Sequence, residues 1–191
     1  MRRFLRKLGF SARNPAAEAL YATAVGAARE PAFYVELGVP DTATGRFDLI
    51  VLHVFFLIRR LREADSEARD LAQDLFDHMF ADMDRSLREM GVGDLSVGRQ
   101  VKALAQGFYG RSAMFEAALA APETDMAGVL RRNLYGGDET VSTPDRLASL
   151  SRYIEAQAKA VATQDVDDLK RGLAVFPVLP TLGATADVLD H

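Results

Sequence analysis

Three histidines, His53, His78 and His191, are the side chains of this sequence best suited to acid–base or metal chemistry near neutral pH. Cysteine is absent, which removes disulfides, thiolate metal sites and cysteine nucleophiles. His78 and Asp82 stand four apart, a spacing that puts both on one helix face where they could share a metal. They border an acid-rich stretch, however, and read as a solvated surface pair. A di-iron bundle needs two Glu-x-x-His elements, and the sequence contains none. His53 interrupts an apolar run and reads as a core histidine with a satisfied hydrogen bond. Gly91-x-Gly93 with Gly98 has a helix rather than a strand before it, so it reads as a helix–helix turn and not a nucleotide loop. No serine sits in a Gly-x-Ser-x-Gly elbow. Nucleophile, base and orienting group do not fall together anywhere, and the expectation is a protein that is not an enzyme and holds no metal and no cofactor.

One constellation resists a purely structural account. Asp77, Asp84 and Arg88 are spaced seven and four apart, which aligns them on one helical stripe. Phe80 and Met83 flank it. Asp84 and Arg88 form a favourable i,i+4 pair worth about 0.2–0.5 kcal/mol, enough to explain them structurally. Methionines give adaptable apolar contact, and Met79, Met83 and Met90 all fall here. An acid, arginine and methionine edge beside a glycine-pinned loop is the pattern of a protein-docking surface.

The elements that must carry these residues are helices. Asn14-Pro15 reads as an N-cap with proline in the first turn, followed by Leu20, Tyr21, Ala24 and Ala28 at helical spacing. Pro31 ends that helix and opens a short one closed by Gly38. From Arg46 to Arg62 apolar residues cover nearly the whole circumference, so a buried strand competes. The length, the arginines Arg59, Arg60 and Arg62 in the last turn and the lack of a strand to pair with favour a central helix. Ser66 to Met90 has the clearest 3–4 periodicity, with Gly91 past its end. Asp94 or Ser96 is expected to cap the next helix, which reaches Ala120. Gly107 and Gly110 lie inside it, each about 1 kcal/mol worse than alanine, so close approach to the backbone is expected at both. Met126 to Tyr135 and a helix opened by Thr143-Pro144 follow. Phe176-Pro177-Val178-Leu179-Pro180 cannot continue a helix. The expectation is an all-α, single-domain helical bundle of about six to seven helices. It divides into a basic amphipathic segment over 1–13, a helical domain over 14–171 and an irregular tail over 172–191.

Length and composition agree: 191 residues, 49% hydrophobic and 26% charged, suit one globular domain. A net charge of −4 argues against nucleic acid as a specific partner. Residues 1–13 hold five cations and no acid, so the remainder carries −9. Within that segment Arg2, Arg3, Arg6 and Lys7 would contact an anionic membrane surface, at about 1 kcal/mol each, or would simply keep a frayed terminus soluble. The longest apolar run, Leu49 to Ile58, is shorter than the ~20 residues a bilayer requires.

Three stretches resemble a known family. They are Phe76 to Leu95; Leu37-Gly38-Val39-Pro40-Asp41-Thr42 with Gly45-Arg46-Phe47-Asp48; and Val101-Lys102 with Phe108-Tyr109-Gly110-Arg111. In this order and spacing, between about Leu20 and Tyr135, they are similar to the ubiquinol–cytochrome c chaperones. The resemblance implies an assembly factor of the cytochrome bc1 complex (complex III) that binds newly made cytochrome b without a cofactor. It implies a bacterial cytoplasmic location peripheral to the inner membrane, with a small partner protein and the ribosome as further contacts of mitochondrial relatives. Asp77, Phe80, Met83, Asp84, Arg88, Glu89, Gly91, Asp94 and Lys102 are then the expected partner-binding residues. A membrane-peripheral helical adaptor unrelated to respiration, or a helical metal- or cofactor-binding protein, are the competing expectations.

Overall fold

The most apolar stretch of the chain is a helix, and the rest of the fold is arranged around it. In the computed structural model, which describes residues 14–121 and 125–178, the order is α1 (Pro15–Ala28), α2 (Ala32–Val35), α3 (Ala43–Arg62), α4 (Ser66–Glu89), α5 (Asp94–Ala120), α6 (Met126–Leu134), α7 (Pro144–Ala162) and α8 (Val166–Lys170). Six are substantial helices; α2 and α8 are single turns, and α8 is an element the sequence reading did not separate. The basic segment 1–13 lies outside the described residues, as does 179–191.

α3 is the axle. From Phe47 to Ile58 every side chain but Ile50 is buried, and α1, α4, α5, α6, α7 and α8 all pack on it. A helix apolar on all sides needs such a sheath, and strand pairing is unnecessary once every backbone group is bonded within the helix. Thr42 caps its start through the Gly45 amide at 3.1 Å. Gly45 itself is required there, because a Cβ would stand 2.1 Å from the Pro40 carbonyl oxygen. Asn14 and Asp65 cap α1 and α4 in the same way, accepting from Ala16 N at 3.0 Å and Ala68 N at 2.9 Å.

α1 and α4 lie side by side on α3. Asn14 donates to Asp74 at 2.9 Å, and one register further on the Tyr21 hydroxyl donates to Asp82 at 3.0 Å. The Tyr21 ring also meets the edge of His78 at 5.2 Å. The His78–Asp82 pair is thus part of the α1–α4 contact, and no cluster of metal-ligating side chains occurs among the described residues. The turn at Glu36–Leu37 is held by residues about a hundred positions further along the chain. The Tyr135 hydroxyl donates to the Leu37 carbonyl at 2.8 Å, and Arg146 donates to that of Glu36 at 3.0 Å.

Beyond α8 the chain has no regular secondary structure but is tied down. Gln164 donates to the Val175 carbonyl and accepts from its amide, at 2.7 and 3.0 Å. Gln157 donates to the Pro177 carbonyl at 2.7 Å. No helix among the described residues is long and apolar enough to cross a membrane.

Candidate partner-binding surface

α4 and α5 form an antiparallel hairpin whose base is core and whose tip is surface. At the base, Phe76, Phe80 and Phe108 pack ring to ring, with centroids 4.7 Å (Phe76–Phe80), 5.2 Å (Phe76–Phe108) and 6.2 Å (Phe80–Phe108) apart. Phe80 is completely buried. It belongs to this aromatic core and does not flank a docking edge, a correction to the periodicity reading. The stripe angle had placed it one step from Asp84, but the 40° between them, and the 60° from Asp77, are enough to turn it onto α5. Towards the tip, Met83, Leu87, Val92 and Leu104 are only partly covered.

The turn is set by Gly91, whose φ of +83° is left-handed and favours glycine. The Val92 amide bonds to the Leu87 carbonyl at 3.0 Å and the Gly91 amide to that of Arg88 at 2.9 Å. This is the Schellman closure, with Val92 placed against Leu87. α5 then starts without a side-chain cap: Gly93, not Asp94 or Ser96, occupies the N-cap position. Asp94 stands instead in the first turn, where the helix dipole favours a carboxylate.

That placement gives Asp94 a partner. Arg88 pairs with Asp84 at 2.6 Å and with Asp94 across the turn, so one guanidinium bridges both helices. The Asp84 hydrogen bond holds Arg88 even more firmly charged than usual. Asp94 is 86% exposed and Met90, beside the cluster, 64%. Asp77 lies two turns back on the same stripe, accepting from Gln73 at 2.8 Å. Glu89 and Lys102 are exposed. The structure therefore brings Asp84, Arg88, Asp94 and Met90 into one patch around Gly91. It puts Asp77 about 10 Å away along the helix, leaves Met83 half in the core and withdraws Phe80. Arg2, Arg3, Arg6 and Lys7, the expected membrane contacts, lie outside the described residues.

Two buried polar pairs behind this surface were not assembled from the sequence. Asp48 of α3, 5% exposed, pairs with Arg111 of α5 at 2.7 Å. Burial raises its carboxyl to about 6, against the pull of Arg111. The Arg111 guanidinium reaches it by folding over Gly107, where a Cβ would stand 2.6 Å from a guanidinium nitrogen. Gly110 has open space around the same position, so close approach holds for Gly107 only. An acid surrounded by apolar residues was the available signal for this pair. The second pair is His53 with Tyr153. His53 Nδ1 donates to the Leu49 carbonyl at 2.7 Å, which leaves Nε2 to accept from the Tyr153 hydroxyl at 2.7 Å. Burial depresses this imidazole to about 4, so it is a neutral core histidine, as the apolar setting implied.

A sequence model of the Ubiquinol-cytochrome C chaperone family matches residues 35–176. Relatives include ubiquinol-cytochrome-c reductase complex assembly factor 1 of Xenopus laevis, 21% identical over 72% of this chain and 68% of that protein. Another is Protein CBP3, mitochondrial, of Saccharomyces cerevisiae, 30% identical over 65% of this chain and 38% of that protein. The chain therefore spans less than half the length of the yeast protein. The crystal structure of the Cbp3 homolog from Brucella abortus superposes with a TM-score of 0.77 at 32% identity, covering 93% of this chain and 96% of that one. With the three resembling stretches joined by the Asp48–Arg111 pair and the α4–α5 hairpin, and with the family match running through all of them, this chain belongs to the ubiquinol-cytochrome c chaperone family.

Proposed function

We propose that this protein is an assembly chaperone of complex III that binds newly made cytochrome b through the tip of the α4–α5 hairpin. The observation that carries the surface assignment is the exposed Asp84–Arg88–Asp94 bridge with Met90 beside it. Charged groups steer and orient a partner, and an exposed methionine adapts to apolar side chains of varied shape. Below them, the ring-packed base of the hairpin and the buried Asp48–Arg111 pair hold the patch on a rigid support. The relatives named as assembly factors of ubiquinol–cytochrome c reductase support the choice of complex, and cytochrome b as the client is what the family resemblance implies. Such a role is one of binding rather than catalysis, exercised at the cytoplasmic face of a bacterial inner membrane.

The test has two stages. Deleting the gene should selectively lower spectrally detectable cytochrome b and assembled complex III in membranes, with haem synthesis and other cytochromes intact. Re-expressing the chain with Asp84→Ala and Arg88→Ala should leave its melting curve within about 0.5 kcal/mol of wild type, since the pair is exposed, yet fail to restore cytochrome b. Normal complex III with the double variant would sink the surface assignment. Normal complex III in the deletion strain would sink the function and favour a peripheral adaptor.

A further inference from the structure

At the base of the same hairpin, opposite the tip, a surface notch of about 120 Å³ opens where α3, α4 and α5 meet. Its apolar lining includes Ile58 and Phe76, both about 95% buried. Its walls are Tyr109, 52% exposed and tilted against Phe76 with ring centroids 5.3 Å apart, with Gln73 and two arginines, Arg62 and Arg69. The Arg62 side chain makes no hydrogen bond or ion pair among the described residues, and the Arg69 side chain donates one bond, to the Ala64 carbonyl. No acidic side chain lines the notch.

Two guanidiniums without a carboxylate are conspicuous in a chain whose residues after the first thirteen sum to −9. The combination of free guanidinium donors, an aromatic wall and an apolar lining fits an anionic group carried on an apolar stem. The volume falls well below the ~300–1,000 Å³ of a cofactor or small-molecule site, which leaves a single side chain as the occupant. Tyr109 packs one side on Phe76 and Phe108 and turns the other half of its surface to solvent beside Gly110. Gln73, at the rim, bonds to Asp77 at 2.8 Å and so links the notch to the stripe that ends, about 22 Å further on, at Arg88.

We propose that this notch is a second anchor of the partner-binding surface, taking an Asp or Glu side chain of a client protein segment that has an apolar residue next to it. The carboxylate side chain enters the notch and pairs with Arg62 and Arg69, and the neighbouring apolar side chain packs outside it on the exposed face of Tyr109. The proposal rests on the reading of this chain as a chaperone of a complex III subunit.

The test is photo-crosslinking in cells with the full-length chain, placing p-benzoylphenylalanine at position 109 in one strain and at position 90 in another. Crosslinks from 109 are expected on a complex III subunit, at a segment with an Asp or Glu adjoining an apolar residue. Arg62→Glu with Arg69→Glu should lower that yield about tenfold or more while the chain still melts cooperatively and still crosslinks from 90. Changing the partner's acidic residue to Lys should restore it. A yield from 109 that ignores the charge reversal, a loss without rescue, or products with lipid alone overturns the anchor. If 90 crosslinks to a subunit and 109 does not, the notch falls and the hairpin tip stands; if neither does, both readings fall.

Discussion

At the scale of the residue, His53 and Asp48 are titratable groups that the core holds away from their ordinary behaviour within the acid to neutral range, and they act in opposite directions. His53 is depressed to about 4 because burial penalises the imidazolium. Its contribution is complete above the unfolded value of ~6.5 and is lost as pH falls from there towards 4. Asp48 is raised to about 6 by the same desolvation. Its protonated form favours the folded state, a contribution present below ~3.9 and lost as pH rises through 6. Between pH 6.5 and 4 the two partly offset each other. His53→Gln keeps a donor for Leu49 and an acceptor for Tyr153 but does not titrate. The stability difference between wild type and this variant, from urea titrations at several pH values, should therefore shrink by about 2–3 kcal/mol as pH falls from 7 to 4. A difference independent of pH would mean that His53 is not held neutral. His53 was legible as a core residue from its apolar neighbours. Its hydroxyl partner was not, because Tyr153 lies 100 positions away and only the packing of α7 on α3 brings it within 2.7 Å.

At the scale of the element, the helices were largely legible because each carries its own punctuation: Asn14-Pro15, Thr143-Pro144 and Gly91 mark boundaries the structure keeps. Where the reading failed, the deciding contact was tertiary. The two glycines of α5 show this. Both weaken the helix by propensity alone, but only Gly107 makes room for Arg111 on its way to Asp48. Gly110→Ala should raise stability by about 0.5–1 kcal/mol. Gly107→Ala should lower it by about 1–3 kcal/mol despite the same propensity gain, because it disturbs an ion pair whose acid is buried. Chemical denaturation of the two variants side by side decides this; equal effects would remove the packing account of Gly107. The cap of α5 failed for a similar reason. Asp94 is a good N-cap residue by type, yet the Gly91 closure turns the chain so that Gly93 takes that position and Asp94 is free to meet Arg88.

At the scale of the whole molecule, the stretch after α8 acts as a strap across the core. Phe176 meets the His53 ring edge-on at 5.0 Å, and the side-chain amides of Gln157 and Gln164 supply the hydrogen bonds that hold the strap. A tail incapable of helix is what Pro177 implies, but that it covers the His53–Tyr153 pair could not be read from composition. Phe176→Ala should cost about 1–3 kcal/mol, less than a fully buried phenylalanine because the ring is partly exposed. It should also speed hydrogen exchange at the Val175 amide, with α4 and α5 unaffected. If exchange there is unchanged, the strap is held by the glutamines alone.

What the sequence determined by itself was the class of fold, most helix boundaries, the central place of α3 and the family, since periodicity, caps and ungapped resembling stretches are local properties of the chain. What only the tertiary structure decided was which residues meet. Arg111 reaches Asp48 across 63 positions, Arg88 bridges two helices, Phe80 turns inward, and Arg62, Arg69 and Tyr109 gather around one notch. Helical spacing fixes the angle between side chains on one helix, but the rotation of each helix against its neighbours is set by how the apolar faces pack. That rotation selects which face becomes surface.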